Sequence, residues 1–351
     1  MKTKKLTNLN FDFEDRVSCL TWSPDGNYLA VGTAEGEVAI VNKKIFESEP
    51  PDTINCRWDS TYIYGAHSHP VTTLRFTSNS KAVLSASYYD STRLWNVRGG
   101  GQIDRDCWEL GNNSYLEGVI SLETYGSRFA CLTDYEELCV EVVDLISHDS
   151  EERLSLGVSI IPLLKGMSDD FVTFLNEELL LTCLSNKTLA SKLVLRPIFS
   201  SPAECLPGLV LDHKVNSVSY SRQNNLLYTS SLTNYSPVVK AYYVREGNRP
   251  SIEPLAAIDR LVPTKEKAMY QTTKLVGTKD NLLLIGFDYR GFLEITELKP
   301  NGEVEGDSVR VEVNLKKTEI SSWKHLVDVT SDGHYLAYSN QKEVTICLLT
   351  R

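Results

Sequence analysis

The feature that most constrains this chain is a strand–turn–strand unit that returns about every fifty residues. Its clearest copies are "VSCLTWSPDGNYLAVGTAEGEVAIVN", residues 17–42, and "VTTLRFTSNSKAVLSASYYDSTRLWNV", residues 71–97. Each reads as a short alternating strand, a polar turn, a second strand, another turn and a third strand. Ser23-Pro24-Asp25-Gly26 marks the first turn: proline presets φ at the first central position and glycine accepts positive φ near the end. Weaker copies occupy residues 119–145, 171–195, 215–244, 270–298 and 325–349, the last repeating the turn chemistry as Ser331-Asp332-Gly333.

Seven such units fill 351 residues, a period that belongs to radially repeated architectures. Each unit supplies three strands, and a fourth, outer strand is expected in the looser segment that follows. Residues 61–64, 209–211 and 309–313 are the candidates, since an exposed outer strand tolerates poor patterning. The last unit ends two residues before the C-terminus, and segment 6–13, "LTNLNFDF", has no other partner. The sequence therefore predicts an all-β chain, one domain over residues 1–351. The architecture expected is a seven-bladed β-propeller whose ring is closed by segment 6–13 completing the last blade. Segments 43–60 and 245–267 read as insertions, and "LAAIDRLV" in the second as a short helix docked on the rim.

"SPDGNYLAVGTAEGEVAIVN" and "GAHSHPVTTLRF…LSASYYDSTRLWNV" resemble WD40 repeats. The resemblance implies a hydrogen-bonded brace inside a blade, here built from His67, Ser85, Asp90 and Trp95. The sequence departs from the family pattern at several points. Counting from Ser85, the position for the pattern's aspartate holds Tyr89, with Asp90 one residue late. Val41 stands where the first unit would carry tryptophan, and units three to seven lack the Trp-Asp pair.

Composition narrows the function. The formal charge of −10 argues against a general affinity for nucleic acid, which needs clustered Lys and Arg. That charge is concentrated: residues 134–178 hold twelve Asp or Glu against Arg153 and Lys165, a local balance of −10. The block reads as a solvated loop surface or a docking face for a basic partner, with Glu151 and Glu152 at its centre. No apolar run is long enough to span a membrane, and no Phe-Arg-Arg-Gly motif for phosphoinositides occurs; the nearest match is Arg98-Gly99-Gly100. Eight scattered cysteines without a C-x-x-C pair read as buried small hydrophobes in a reducing compartment, cytosol or nucleus.

No catalytic constellation is legible. "RGGGQ" at 98–102 lacks the spacing of a phosphate cradle, and no nucleophile elbow occurs. Only His67 and His69 lie close among the six histidines, and the brace already claims His67, so neither a metal nor another cofactor is expected. The remaining signal lies in loops joining second and third strands, which a propeller gathers on one face. They carry Tyr88 and Tyr89, Tyr135, Tyr235 and Tyr289, with Arg290 and the acids Asp90, Asp134, Glu136, Glu137 and Asp288 nearby. Tyrosine combines a large contact area with one orienting hydroxyl and is enriched in interface cores. The expectation is a non-catalytic scaffold subunit of a multiprotein complex. The alternatives are a reader of short basic peptides, such as a ubiquitin-ligase substrate receptor, and, lower, a hydrolase or nucleotide-exchange factor.

Overall fold

The computed structural model describes residues 1–11, 16–47, 50–56, 61–63, 66–87, 90–98, 102–103, 108–110, 119–126, 128–133, 139–147, 154–162, 168–185, 191–198, 208–247, 250–261, 270–288, 290–313, 326–340 and 343–350. Among them, hydrogen bonding groups the strands into seven sheets, counted here by their first strands in chain order. The first sheet runs Val17–Trp22, Tyr28–Thr33, Val38–Asn42 and Thr61–Ile63. The second runs Val71–Phe76, Ala82–Ser87 and Asp90–Arg98, whose outer edge takes both Gln102–Ile103 and Trp108–Leu110. The third holds Val119–Tyr125, Arg128–Thr133, Cys139–Ser147 and Leu154–Pro162, and the fourth Ser168–Phe174, Leu179–Ser185, Ser191–Pro197 and Leu209–Val210. The fifth holds Val215–Ser221, Leu226–Thr233, Ser236–Arg245 and Ser251–Leu261, and the sixth Tyr270–Gly277, Leu282–Asp288, Phe292–Leu298 and Val309–Glu312. The seventh runs Val327–Val329, Tyr335–Ser339, Glu343–Thr350, Lys2–Asn10 and Thr53–Asn55.

First strands of successive sheets lie against one another from the first sheet to the sixth, and that of the first also touches that of the seventh. Lys274 of the sixth joins the seventh by donating to the carbonyl of Val327 at 2.5 Å. This is the radial packing of a β-propeller. Second and third strands are covered on both faces by neighbouring sheets, which is why Ala82–Ser87 and Leu282–Asp288 are buried at every position instead of alternating.

One irregularity recurs. In each of the first six sheets the register slips by one residue near the start of the first strand, between Val17 and Cys19, Val71 and Thr73, Val119 and Ser121, Asp169 and Phe171, Val215 and Ser217, and Tyr270 and Thr272. Such a bulge bends the strand and sharpens its twist, a deformation suited to packing sheets radially.

The polar turns between first and second strands repeat one network. Ser23 Oγ donates to Asp25 Oδ1 (2.6 Å) and accepts from the Tyr28 N–H (2.9 Å). Thr77 and Asn79 reproduce it in the second sheet, and Thr330 and Asp332 in the seventh. A short polar side chain thus satisfies backbone groups that a tight turn leaves unpaired.

Outer strands expected at 61–64, 209–211 and 309–313 are present at Thr61–Ile63, Leu209–Val210 and Val309–Glu312. Three local expectations need correction. The N-terminal strand is Lys2–Asn10, starting four residues before the expected segment, and it pairs antiparallel with Glu343–Thr350. Residues 255–261 of "LAAIDRLV" are not helical but belong to the strand Ser251–Leu261, and Val262 lies outside the described residues. The ten-residue Ser236–Arg245 offers a long open hydrogen-bonding edge that this segment fills. Insertion 43–60 is also partly ordered by pairing. It carries the helical turn Lys44–Glu47 and the strand Thr53–Asn55, which runs parallel beside Lys2–Asn10. Phe46, fully buried, packs edge-on against Trp22 and Tyr335, so the insertion spans the first and seventh sheets. Cys19, Cys131 and Cys183 are buried, as expected of small core residues; burial pushes the Cys19 thiol up to about 12.

Candidate interaction face

The turns between second and third strands gather at one end of the sheets, and here the second and sixth sheets are organised by buried polar side chains. In the second sheet, Trp95 Nε1 donates to Ser85 Oγ (2.8 Å), and Ser85 lies 2.7 Å from His67 Nε2. Because the indole N–H only donates, the serine hydroxyl passes its proton on to His67 Nε2, which places the ring proton on Nδ1. That atom faces Asp90 Oδ2 at 3.6 Å. Asp90 in turn accepts from the Ser68 N–H (2.8 Å) and hydroxyl (3.2 Å). Burial, aided by the nearby Arg93 and opposed by Asp90, lowers the His67 pKa to about 4, so the imidazole is neutral at physiological pH. The structure thus brings His67, Ser85, Asp90 and Trp95 into one chain of contacts. Asp90 reaches His67 although it stands one residue past the pattern position.

The sixth sheet uses a different set, which the sequence reading missed. Tyr270 opens the first strand and lays its ring over Gly286 of the second. Its hydroxyl donates to Glu294 of the third strand, and Ser308, just before the outer strand, donates to the other oxygen of that carboxylate at 2.8 Å. Burial, reinforced by Glu294, pushes the Tyr270 pKa up, so the phenol remains a donor. Asp288, also buried, accepts from the Arg290 backbone N–H (2.9 Å) and side chain (3.1 Å), and from Arg310 Nη2 (2.9 Å). Arg310 stacks 3.9 Å from the Phe292 ring centroid. The signal was hidden because "FLEITEL" reads as a strand with glutamates on a solvent face, whereas Glu294 and Glu297 are both buried.

Tyr235 is the tyrosine of this face that lies within the described residues. It is 59% exposed and sits with Asn234 in a two-residue turn where both φ values are positive, 64° and 51°. Its carbonyl accepts from the N–H of Tyr270 at 3.2 Å, and Tyr270 is the register partner of Asp288. Arg290, whose side chain is 45% exposed, therefore belongs to the same corner, between the fifth and sixth sheets. Tyr88, Tyr89, Asp134, Tyr135, Glu136, Glu137, Glu151, Glu152 and Tyr289 lie outside the described residues. Of the acids expected to favour a basic partner, Asp90 and Asp288 are engaged internally, Asp288 by two arginines, and neither is offered to solvent as a free carboxylate. Among the described residues no group of three or more His, Cys, Asp or Glu is placed to hold a metal ion. No helix there is long and apolar enough to cross a membrane.

Sheets packed radially, with the turns between second and third strands gathered at one end, define a β-propeller. Residues 5–79 match the family described as the anaphase-promoting complex subunit 4 WD40 domain. The COMPASS component SWD1 of Saccharomyces cerevisiae is 27% identical over 148 residues, which is 40% of this chain and 32% of that protein. The match thus spans about a third of the relative's length. The β-propeller domain of Myceliophteria thermophila Cps50 (Swd1) superposes with a TM-score of 0.66 at 11% identity, covering 99% of this chain and 100% of that one. The chain thus has the fold of a β-propeller, and its residues 5–79 are similar to WD40 repeats.

Proposed function

We propose that this protein is a non-catalytic interaction scaffold, a subunit of a larger protein assembly, that docks a partner on the face carrying Tyr235 and Arg290. The observation that carries the reading is Tyr235: a large aromatic side chain, mostly exposed, kept in a left-handed turn that glycine would occupy without strain. Strain of this kind persists where a side chain is needed for contact. The seven sheets, and the pairing of Lys2–Asn10 with Glu343–Thr350, support a seven-bladed ring closed by the N-terminal strand. A closed ring is a rigid platform for several partners at once. Likeness to a COMPASS component supports membership of a multiprotein complex and favours the nucleus over the cytosol.

The tyrosines and acids outside the described residues, Tyr88, Tyr89, Tyr135, Tyr289, Asp134, Glu136, Glu137, Glu151 and Glu152, extend the same proposed surface. A basic-peptide reader is the weaker reading, because Asp90 and Asp288 are already committed to Ser68, His67, Arg290 and Arg310. The test is gentle purification from the protein's own cells followed by native mass measurement. A stoichiometric assembly much heavier than 39.4 kDa, lost when Tyr89, Tyr135, Tyr235 and Tyr289 are replaced by Ala, supports the proposal. If that variant folds and keeps every partner, this face is not the site; charge reversal of Glu136, Glu137, Glu151 and Glu152 then tests the acidic side separately.

A further inference from the structure

The seventh sheet ends on two strands of unequal reach. Lys2–Asn10 pairs along its length with Glu343–Thr350, but its other edge meets Thr53–Asn55 only at Asn8, Leu9 and Asn10. The cover begins where the Thr7 hydroxyl donates to the Pro51 carbonyl (2.7 Å) and the Asn8 N–H to the Asp52 carbonyl (2.9 Å). Beside Lys2 to Leu6 no strand pairs on that side among the described residues. At about 3.3 Å per residue this leaves about 17 Å of open backbone edge, the reach of an ordinary strand.

The open stretch is both fixed and basic. Leu6 packs on the core between the first and seventh sheets and Met1 on that between the sixth and seventh, which holds the strand in place. Lys2, Lys4 and Lys5 are exposed, and their ammonium groups make no ion pair or hydrogen bond among the described residues. Their register partners, Thr350, Leu348 and Cys347, offer no carboxylate. The acids on adjoining segments, Asp52, Asp307 and Glu312, make no ion pair with them. Glu312 lies opposite Phe292, just past the turn between second and third strands, whereas Lys2 lies opposite Thr350, at the other end of its own sheet. Arg310, on the same outer strand as Glu312, is bound to Asp288.

We propose that the edge from Lys2 to Leu6 is a docking site for an acidic, extended segment of a partner protein, which joins the seventh sheet as a further strand. In strand addition of this kind main-chain hydrogen bonds supply affinity and side chains choose the partner. Lys2 and Lys4 project from one face of the strand and Lys5 from the other, so a segment with acids on both faces meets all three. Edge lysines discourage pairing with a like strand. Two copies of this edge side by side would set lysine against lysine, which is destabilising, while a strand of opposite sign is attracted. Thr53–Asn55 occupies the rest of the edge and so stops the added strand at Thr7. The site lies on the outer rim, apart from Tyr235, and stands or falls independently of that face.

The test is selection of a random nonapeptide library, amidated at the C-terminus, on the immobilised full chain. Peptides with Asp or Glu spaced among β-branched residues should be enriched. They should bind at least tenfold more weakly to the triple variant Lys2→Glu, Lys4→Glu, Lys5→Glu and equally to Tyr235→Ala. Methylating the backbone nitrogens along one edge of a selected peptide should abolish binding, whereas methylating those along the other should not. This pattern separates strand addition from charge attraction alone. The triple variant should melt with the wild type, since all three positions are exposed; if it melts earlier, Lys4→Gln alone should still weaken binding severalfold. Absence of acidic enrichment, equal binding to the lysine variants, or indifference to methylation would overturn the proposal. So would a DNA duplex held more tightly than any peptide by the same lysines, or a dimer of the full chain that the triple variant abolishes.

Discussion

The ring of Tyr270 occupies the space where Gly286 would otherwise carry a side chain: a Cβ on that glycine would stand 2.6 Å from Tyr270 Cδ1. The two residues lie on adjacent strands, and the vacancy at one lets the phenol of the other cross the sheet to Glu294. The glycine is therefore a packing requirement of the buried polar network in the sixth sheet.

Gly286→Ala is expected to destabilise the protein by about 1–3 kcal/mol, the usual cost of overpacking a well-filled site. In a double-mutant cycle with Tyr270→Val, which removes the obstructing ring, the two effects should be strongly non-additive. Urea unfolding of the four proteins measures this. Additive penalties would show that the contact does not govern the site.

Ser85→Ala strips a shared partner from two buried groups, Trp95 Nε1 and His67 Nε2. Leaving buried donors and acceptors unpaired costs about 1–3 kcal/mol each, so for the two groups a loss of roughly 2–6 kcal/mol is expected in thermal or urea melts. A penalty below about 0.5 kcal/mol would mean that water or a rearranged ring replaces the hydroxyl.

His67 also predicts a pH dependence. Its folded pKa, about 4, lies below the unfolded value of about 6.5, so the unfolded chain binds the proton more readily. Its contribution to stability is complete above pH 6.5 and is lost as pH falls towards 4, by on the order of 3 kcal/mol in all. The slope of the urea midpoint between pH 7 and pH 5 should flatten in His67→Gln relative to the wild type. Parallel slopes would assign the acid sensitivity to other groups.

Tyr235→Gly should stabilise the isolated protein by roughly 1 kcal/mol, because an Asn-Gly turn adopts two positive φ values with less strain than Asn-Tyr. The same variant should lose the partner. A Gly variant that is both more stable and fully competent would remove the reason for keeping tyrosine there.

Phe46→Ala should cost about 3–5 kcal/mol, the range for an aromatic removed from a core. Amide exchange along Lys2–Asn10 should accelerate more than that of Leu282–Asp288, since Phe46 belongs to the insertion that flanks the N-terminal strand. Uniform acceleration across both strands would show that Phe46 supports the whole fold and not that strand in particular.

The architecture was legible because second and third strands carry continuous apolar runs, and because Ser23-Pro24-Asp25-Gly26 and Ser331-Asp332-Gly333 announce equivalent turns. What escaped notice was written in backbone geometry. The bulge near the start of the first strands has no residue signature: Val-Ser-Cys, Val-Thr-Thr and Tyr-Gln-Thr all accommodate it. "LAAIDRLV" is ambiguous because a short apolar run fits either helix or strand, and the open edge of Ser236–Arg245 decides it. The sixth-sheet network was invisible because a charged residue in a strand reads as solvent-facing until its partners, Tyr270 and Ser308 for Glu294, Arg290 and Arg310 for Asp288, are brought beside it by the fold.

The pairing of Asn10 with Glu343 also sets a timetable. During synthesis the N-terminal strand emerges some 330 residues before its partner, and at about 5–20 residues per second it waits roughly 15–70 s. Throughout that interval Leu9 and an open backbone edge have no neighbour from the far end of the chain. The parallel strand Thr53–Asn55, made within a few seconds of it, is the earliest segment able to shield one side. A nascent chain of this design carries an adhesive margin under a provisional cover until the strand Glu343–Thr350 is made and claims it.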